Sequence, residues 1–273
     1  MSAPRSQPRL NVGQALRDGW QAFRRAPWLF VGFTLLLAAL ELLLQALQPE
    51  ISSERLLPPG GFDPSPDLEV MLPQLRYLTV TLGLFIITTL VGVVINLWGI
   101  CGLVRAAWMA LGGGRPRVST FARWDGRALL RLYLPGFLLG CGVIAAVTMV
   151  VLLAVVMSGL SAWLLPLPGL VLLAGAIYLS VSQTFLPQVA LLHDNHPFDA
   201  LARGRQVVDP VWPRILELLT LNVVLMVAGL CACGVGLLVA IPLVTCVSTA
   251  AYRQLFGSED RTGLTRGLSN ARP

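Results

Sequence analysis

Five polar side chains stand inside otherwise apolar stretches of this sequence: Glu41, Asn96, Gln183, Glu217 and Asn222. A polar group in hydrocarbon is costly, so such residues tend to face a bundle interior or a pathway where ions, protons or substrates are handled. Glu41 lies towards the outer end of the first apolar stretch, where a carboxylate can hold a proton or a cation or pair with Arg76 at the edge of the second. The pairing is the simpler expectation. For Asn96, Gln183 with Thr184, Glu217 and Asn222 the simpler expectation is hydrogen bonding between helices, worth about 0.6 kcal/mol on average in membrane bundles.

Other residue types with chemical reach lead to plainer readings. His193 and His196 with Asp194 and Asp199 have the composition of a metal cluster, but a helix-capping loop at a membrane surface accounts for them as well, and no metal site is assigned. Cys101, Cys141, Cys231, Cys233 and Cys246 fall in or beside apolar runs, where thiols act as small hydrophobes. Gly112, Gly113 and Gly114 lack the lysine and preceding strand of a phosphate-binding loop and read as a turn. Serine nucleophile elbows, paired catalytic carboxylates and zincin motifs are absent from the sequence. The expectation is therefore a protein that is not an enzyme and uses no cofactor.

The elements that position these residues are six apolar stretches, at 28–48, 77–104, 132–157, 169–192, 215–232 and 234–252. Most reach the roughly 20 residues that a helix needs to cross about 30 Å of hydrocarbon. With 55% hydrophobic and 12% charged residues and a mean hydropathy of +0.72, a water-soluble fold would be covered in apolar surface. The fold class expected is an all-α polytopic bundle of six transmembrane helices in three hairpins, as a single membrane domain over 1–273. The last pair is tight, since residues 215–252 number 38 where two perpendicular spans need about 40 before any turn. Gly229, Gly234 and Gly236 supply a tight turn between them. The first stretch is too long for a cleavable signal.

Charge sets the threading. All twenty basic residues are arginine. Residues 1–26 carry five arginines against Asp18, and residues 105–131 carry six against Asp125, whereas the link at 48–76 carries five acids against Arg55 and Arg76. Arginine-rich segments stay on the cytoplasmic side, so both termini, including the tail at 253–273, are expected inside.

Amphipathic segments precede the first, third and fifth spans. At 11–26, Asn11 caps a helix with Val12, Ala15, Leu16, Trp20 and Phe23 at helical spacing, the pattern of an interfacial helix. Residues 119–133 repeat this less cleanly, and a third begins near Pro197. Ala15-Leu16-x-x-Gly19-x-Gln21 recurs as Ala200-Leu201-x-x-Gly204-x-Gln206, a hint of three related units.

The opening Asn11-Val-Gly-Gln-Ala-Leu-Arg-Asp-Gly-Trp20 with Phe23 and Trp28, the segment Phe198-Asp-Ala-Leu-Ala-Arg-Gly204, and the ending with Gly234, Gly236, Pro242 and Ala251-Tyr252-Arg253 resemble bacterial six-span proteins related to the membrane domain of glycerophosphodiester phosphodiesterases, including YciC-like inner-membrane proteins. The resemblance implies a bacterial cytoplasmic membrane. It carries no phosphodiesterase activity, because that belongs to a separate catalytic domain for which this sequence has no room.

Arg105, Arg115, Arg117, Arg123, Arg127 and Arg131 form an inner belt expected to contact anionic lipid headgroups, each at about 1 kcal/mol. A protein partner or a second copy is compatible with the same surface. Nucleic acid is not expected, because threading accounts for the pI of about 9.5 and no nucleic-acid-binding fold is recognisable. The leading expectation is a non-enzymatic protein that organises or assists lipid or envelope components at the inner leaflet. The alternative is a small transporter or channel with a pathway involving Glu41, Asn96 and Gln183.

Overall fold

The computed structural model describes residues 10–48, 68–160, 166–192, 208–232 and 234–260. Among the described residues it is all-α, without strands, and contains nine α-helices: α1 (Val12–Arg24), α2 (Pro27–Leu47), α3 (Leu68–Leu111), α4 (Val118–Ala122), α5 (Gly126–Leu160), α6 (Pro166–Ser182), α7 (Leu186–Leu192), α8 (Trp212–Cys231) and α9 (Leu237–Phe256). Six helical segments are long and apolar enough to cross a membrane: Pro27–Leu47, Leu75–Leu111, Gly126–Met157, Pro166–Leu192, Asp209–Cys231 and Leu237–Phe256. The protein is thus a multi-pass helical membrane protein. The helix expected from Pro197, the His193 to Asp199 cluster, Cys233 and the tail beyond Asp260 lie outside the described residues.

The tight last pair gains length at its start. A 3-10 turn at Asp209–Val211 leads into α8, whose first turn holds Pro213; proline suits that position because its missing N–H has no helical partner there. The turn between α8 and α9 needs its glycines. Gly234 has φ +75°, and a methyl added to Gly236 would lie 2.6 Å from the Gly229 carbonyl oxygen.

The fourth apolar stretch is broken rather than continuous. Pro187 has no N–H to offer the Gln183 carbonyl four residues back, and Leu186 N–H takes that oxygen at 3.0 Å instead. Hydroxyls cover the carbonyls of the preceding turn: Ser182 Oγ donates to Tyr178 O at 2.7 Å and Thr184 Oγ1 to Ser180 O at 2.6 Å. The amphipathic segment expected at 119–133 is also divided. Asp125 ends it by capping α5, its Oδ1 accepting from the N–H groups of Arg127 and Ala128 at 3.2 Å.

The chain forms two compact units, Met1–Thr34 with Gly99–Pro273, and Leu35–Trp98. In the smaller unit the second half of α2 runs beside α3. Thr81, Thr88, Gly92 and Ile95 lie on one α3 stripe, at spacings of seven, four and three residues, with Thr81 and Thr88 buried. Thr88 satisfies its hydroxyl on the backbone of its own helix, at Leu84 O, 2.9 Å away.

The larger unit has its core at the end that bears the arginines. Here Asn11 caps α1 as expected, its Oδ1 accepting from Gln14 N at 3.0 Å. Asn11 N–H also donates to Gln254 Oε1 at 2.9 Å, tying the start of α1 to the end of α9. The expected interfacial stripe is corrected at two positions: α1 packs on α9 and buries Val12, Ala15, Gly19, Ala22 and Phe23, leaving Leu16 half-buried and Trp20 exposed. Gly19 makes this possible, since a methyl there would sit 2.7 Å from the Val247 Cα.

Candidate functional site

Small residues bring the last turns of α3 into the core. Ala106, Ala107 and Ala110 have no exposed surface. Gly102 admits two neighbours, because a methyl on it would lie 2.7 Å from the Phe121 carbonyl oxygen and 2.9 Å from Phe33 Cζ. Rings fill the space around it: Phe30 and Phe33 each pack on Phe121 at 5.1 Å between centroids. A second cluster joins Trp108, Phe185, Tyr252 and Phe256, with Tyr252 stacked on Phe256 at 4.6 Å. Gly113, at φ +94°, ends α3, and the N–H groups of Gly112 and Gly114 return to Trp108 O and Met109 O at 3.1 Å. The glycine run is therefore a helix C-terminal cap, as the residue at such a turn must be able to adopt positive φ.

Arg105 departs from the expected headgroup belt. It is fully buried, so it cannot reach a lipid headgroup. Its Nη1 donates to Thr120 O at 3.3 Å and Arg123 O at 3.0 Å, closing the C-terminal end of α4, where a cation is favoured by the unsatisfied carbonyls. Its Nε and Nη2 are buried and meet no acceptor among the described residues. The other members behave differently: Arg115, Arg117, Arg123 and Arg127 are exposed and Arg131 is half-buried. Arg17 and Arg24 are also exposed. Three tryptophans on the same segments face outward, Trp20 at 44%, Trp28 at 86% and Trp124 at 63% exposure. Tryptophan with its polar N–H is enriched where membrane meets water.

The intramembrane candidates are dispersed. Glu41 is half-buried against α3, its Oε2 3.9 Å from where a methyl on Gly92 would stand. The expected ion pair with Arg76 is not formed among the described residues; Glu217 pairs instead with Arg214 of its own helix, at 2.9 Å and with both side chains more than half exposed. Asn96 is exposed on α3. Gln183 stands at the Pro187 break, with its Oε1 buried and unpartnered among the described residues. Asn222 is buried, and its Nδ2 donates to Ser248 Oγ at 3.1 Å.

The structure also gathers residues that the sequence reading did not single out. A cleft of about 460 Å³ opens between α1 and the ends of α3 and α9, over Ala22, Ala110 and Ala250, with Asp18, Gln21, Arg25, Arg253, Gln254 and Ser258 on its walls. Arg25 Nη1 donates to Ala110 O. The Arg253 guanidinium lies over the Trp108 ring, 5.2 Å from its centroid. Gln254 accepts from Asn11 N–H through Oε1, while its Nε2 is buried and has no acceptor among the described residues. Two polar residues closing an apolar stretch, Arg253-Gln254, are the sequence signal that marks it. Set against known proteins, this chain matches no family model, no curated protein and no solved structure.

Proposed function

We propose that this is a non-enzymatic protein of a bacterial cytoplasmic membrane, with both termini inside, that gathers and organises anionic lipids at the inner leaflet. The resemblance to the six-span inner-membrane proteins is part of this reading. The observation that carries it is the girdle at the arginine-bearing end: Arg17, Arg24, Arg117, Arg123 and Arg127 stand outward beside Trp20, Trp28 and Trp124. These side chains are mounted on α1, on the turns flanking α4 and on the first turns of α2 and α5, segments that are packed into protein, so their positions are set before lipid arrives. Basic groups near an anionic leaflet attract it by about 1 kcal/mol each. Tryptophan anchors hold them at headgroup depth.

The test is lipid selectivity in proteoliposomes. Energy transfer from tryptophan to a headgroup-labelled lipid should be several-fold greater for phosphatidylglycerol than for phosphatidylcholine at low salt. The difference should shrink as the Debye length falls from about 10 Å at 0.1 M to about 3 Å at 1 M. Equal transfer to both lipids at low salt overturns the reading.

A further inference from the structure

The girdle treats the surface as a field of positive charge, but the cleft between α1, α3 and α9 has a different chemistry. Its walls carry two guanidiniums, two side-chain amides, a hydroxyl and one carboxylate. The two guanidiniums and the Gln254 amide are each held by a contact that leaves part of the group open. Arg25 is tied to the Ala110 carbonyl through one nitrogen, and a guanidinium has five N–H donors in a fixed fork. Arg253 sits over the Trp108 ring, 5.2 Å from its centroid, a contact that engages its charge rather than pairing its N–H groups with an acceptor, so those donors can serve a planar or tetrahedral oxyanion. Gln254 cannot turn its amide round, since Oε1 is committed to Asn11 N–H; Nε2 is left as a buried donor lacking an acceptor among the described residues. A buried donor left unmet is destabilising, and an acceptor oxygen entering the cleft removes that penalty. Asp18 has no hydrogen bond or ion pair among the described residues, and it lines the same space. A simple anion would gain from the arginines but be repelled by Asp18.

We propose that this cleft binds a zwitterionic phosphodiester carrying a primary ammonium, the phosphoethanolamine group. The phosphate oxygens take the N–H groups of Arg25, Arg253 and Gln254, and the ammonium pairs with Asp18. The volume of about 460 Å³ suits a headgroup rather than acyl chains, and lies within the range of small-molecule sites. The same chemistry is offered by phosphatidylethanolamine in the bilayer and by soluble glycerophosphoethanolamine. The site is separate from the girdle: the girdle prefers net negative lipid and weakens with salt, whereas the cleft selects for the ammonium.

The experiment uses the full chain, stripped of lipid in neutral detergent and titrated in about 0.5 M salt, which screens exposed charges, with native mass spectrometry as readout. One phosphatidylethanolamine should bind per chain, about tenfold or more tighter than phosphatidylglycerol, which has the same phosphate without the ammonium. Gln254→Glu keeps the acceptor for Asn11 but replaces the donor, and should weaken both lipids by about tenfold or more. Asp18→Asn should bring the two lipids to similar affinity. Displacement of the bound lipid by soluble glycerophosphoethanolamine assigns the ligand to the free headgroup compound; retention of the lipid assigns it to the bilayer. Equal affinity of the two lipids for the unaltered protein overturns the proposal, as does a lipid preference that survives Asp18→Asn or an affinity unchanged by Gln254→Glu. None of these results alters the low-salt selectivity expected of the girdle.

Discussion

Two long helices of similar character, α9 and α5, are treated very differently. In the most apolar stretch of α9, 56% of residues are buried, while in that of α5 none is. The more hydrophobic helix is the less buried one, at a mean hydropathy of 2.7 against 1.3. In water this would be inverted. In a bilayer, lipid tails are as apolar as leucine, so burying α5 against protein gains little. Beside α8, α9 packs on α1, an amphipathic helix rich in charge, whose apolar stripe has water or headgroups as its alternative neighbour. There the hydrophobic effect again favours packing. Intramolecular packing thus concentrates where the chain leaves hydrocarbon.

The sharpest way to break that contrast is to disturb the packed end at Arg105. It is buried and holds the carbonyls of Thr120 and Arg123. Arg105→Ala leaves those carbonyls and a polar-lined void in the core, and is expected to cost about 3 kcal/mol or more. Arg105→Lys should recover little, because one ammonium cannot reproduce the planar fork. Reversible unfolding in mixed micelles of mild detergent and dodecyl sulfate measures both. A loss below about 1 kcal/mol for Arg105→Ala would mean that α4 is held by its phenylalanines alone.

Glycines supply the next test, since the same substitution should have opposite signs at the two helices. At Gly19 a methyl would be forced to within 2.7 Å of Val247 backbone, and Gly19→Ala is expected to destabilise by about 1–3 kcal/mol through overpacking. Gly136 and Gly140 of α5 fit a small-xxx-small pattern, yet nothing lies within 4 Å of a methyl on either. Alanine there should be neutral or stabilise by up to about 1 kcal/mol through helix propensity. Destabilisation at Gly136 or Gly140 would mean that α5 is packed against something other than lipid in the membrane.

The parts of this fold that the sequence makes legible are those governed by local rules. Apolar length locates six spans, Asn11 locates the start of α1, and glycines locate the turns at 112–114 and 229–236. Local rules also explain two departures from expectation: Pro187 breaks the stretch at 169–192 through the N–H it lacks, and Arg214, three residues before Glu217, takes the carboxylate expected to bond between helices. What is not legible depends on distant chain segments. Arg105 looks like any other arginine of its belt until α4 folds back over it. Gly19 looks like a weak point in an interfacial helix until Val247 arrives from the other end of the chain. The cleft is similar, since Asp18, Arg25 and Arg253 come together only when α1 lies on α9.

Within the bundle, Asn222 and Ser248 form a buried hydrogen bond between α8 and α9. A double-mutant cycle with Asn222→Ala and Ser248→Ala should give a coupling of about 0.6 kcal/mol, the ordinary value for such bonds in membranes. A coupling above about 2 kcal/mol would exceed the usual range and place this pair with Arg105 as a determinant of the packed end.

The smallest effect is expected at Arg214 and Glu217, which pair at 2.9 Å with 65% and 52% of their side chains exposed. Their three-residue spacing on α8 gives a surface pair worth about 0.5 kcal/mol or less. Glu217→Gln should therefore change stability by no more than that, and less at high salt. The result bears on where water ends along α8. If the pair sits among headgroups, raising salt from about 0.1 to 1 M shortens screening to about 3 Å and removes most of its effect. If Glu217→Gln instead costs more than about 2 kcal/mol and the loss is indifferent to salt, the carboxylate lies in low dielectric, and the start of α8 belongs with hydrocarbon-embedded α5 rather than with the wet, tightly packed end where α1 meets α9.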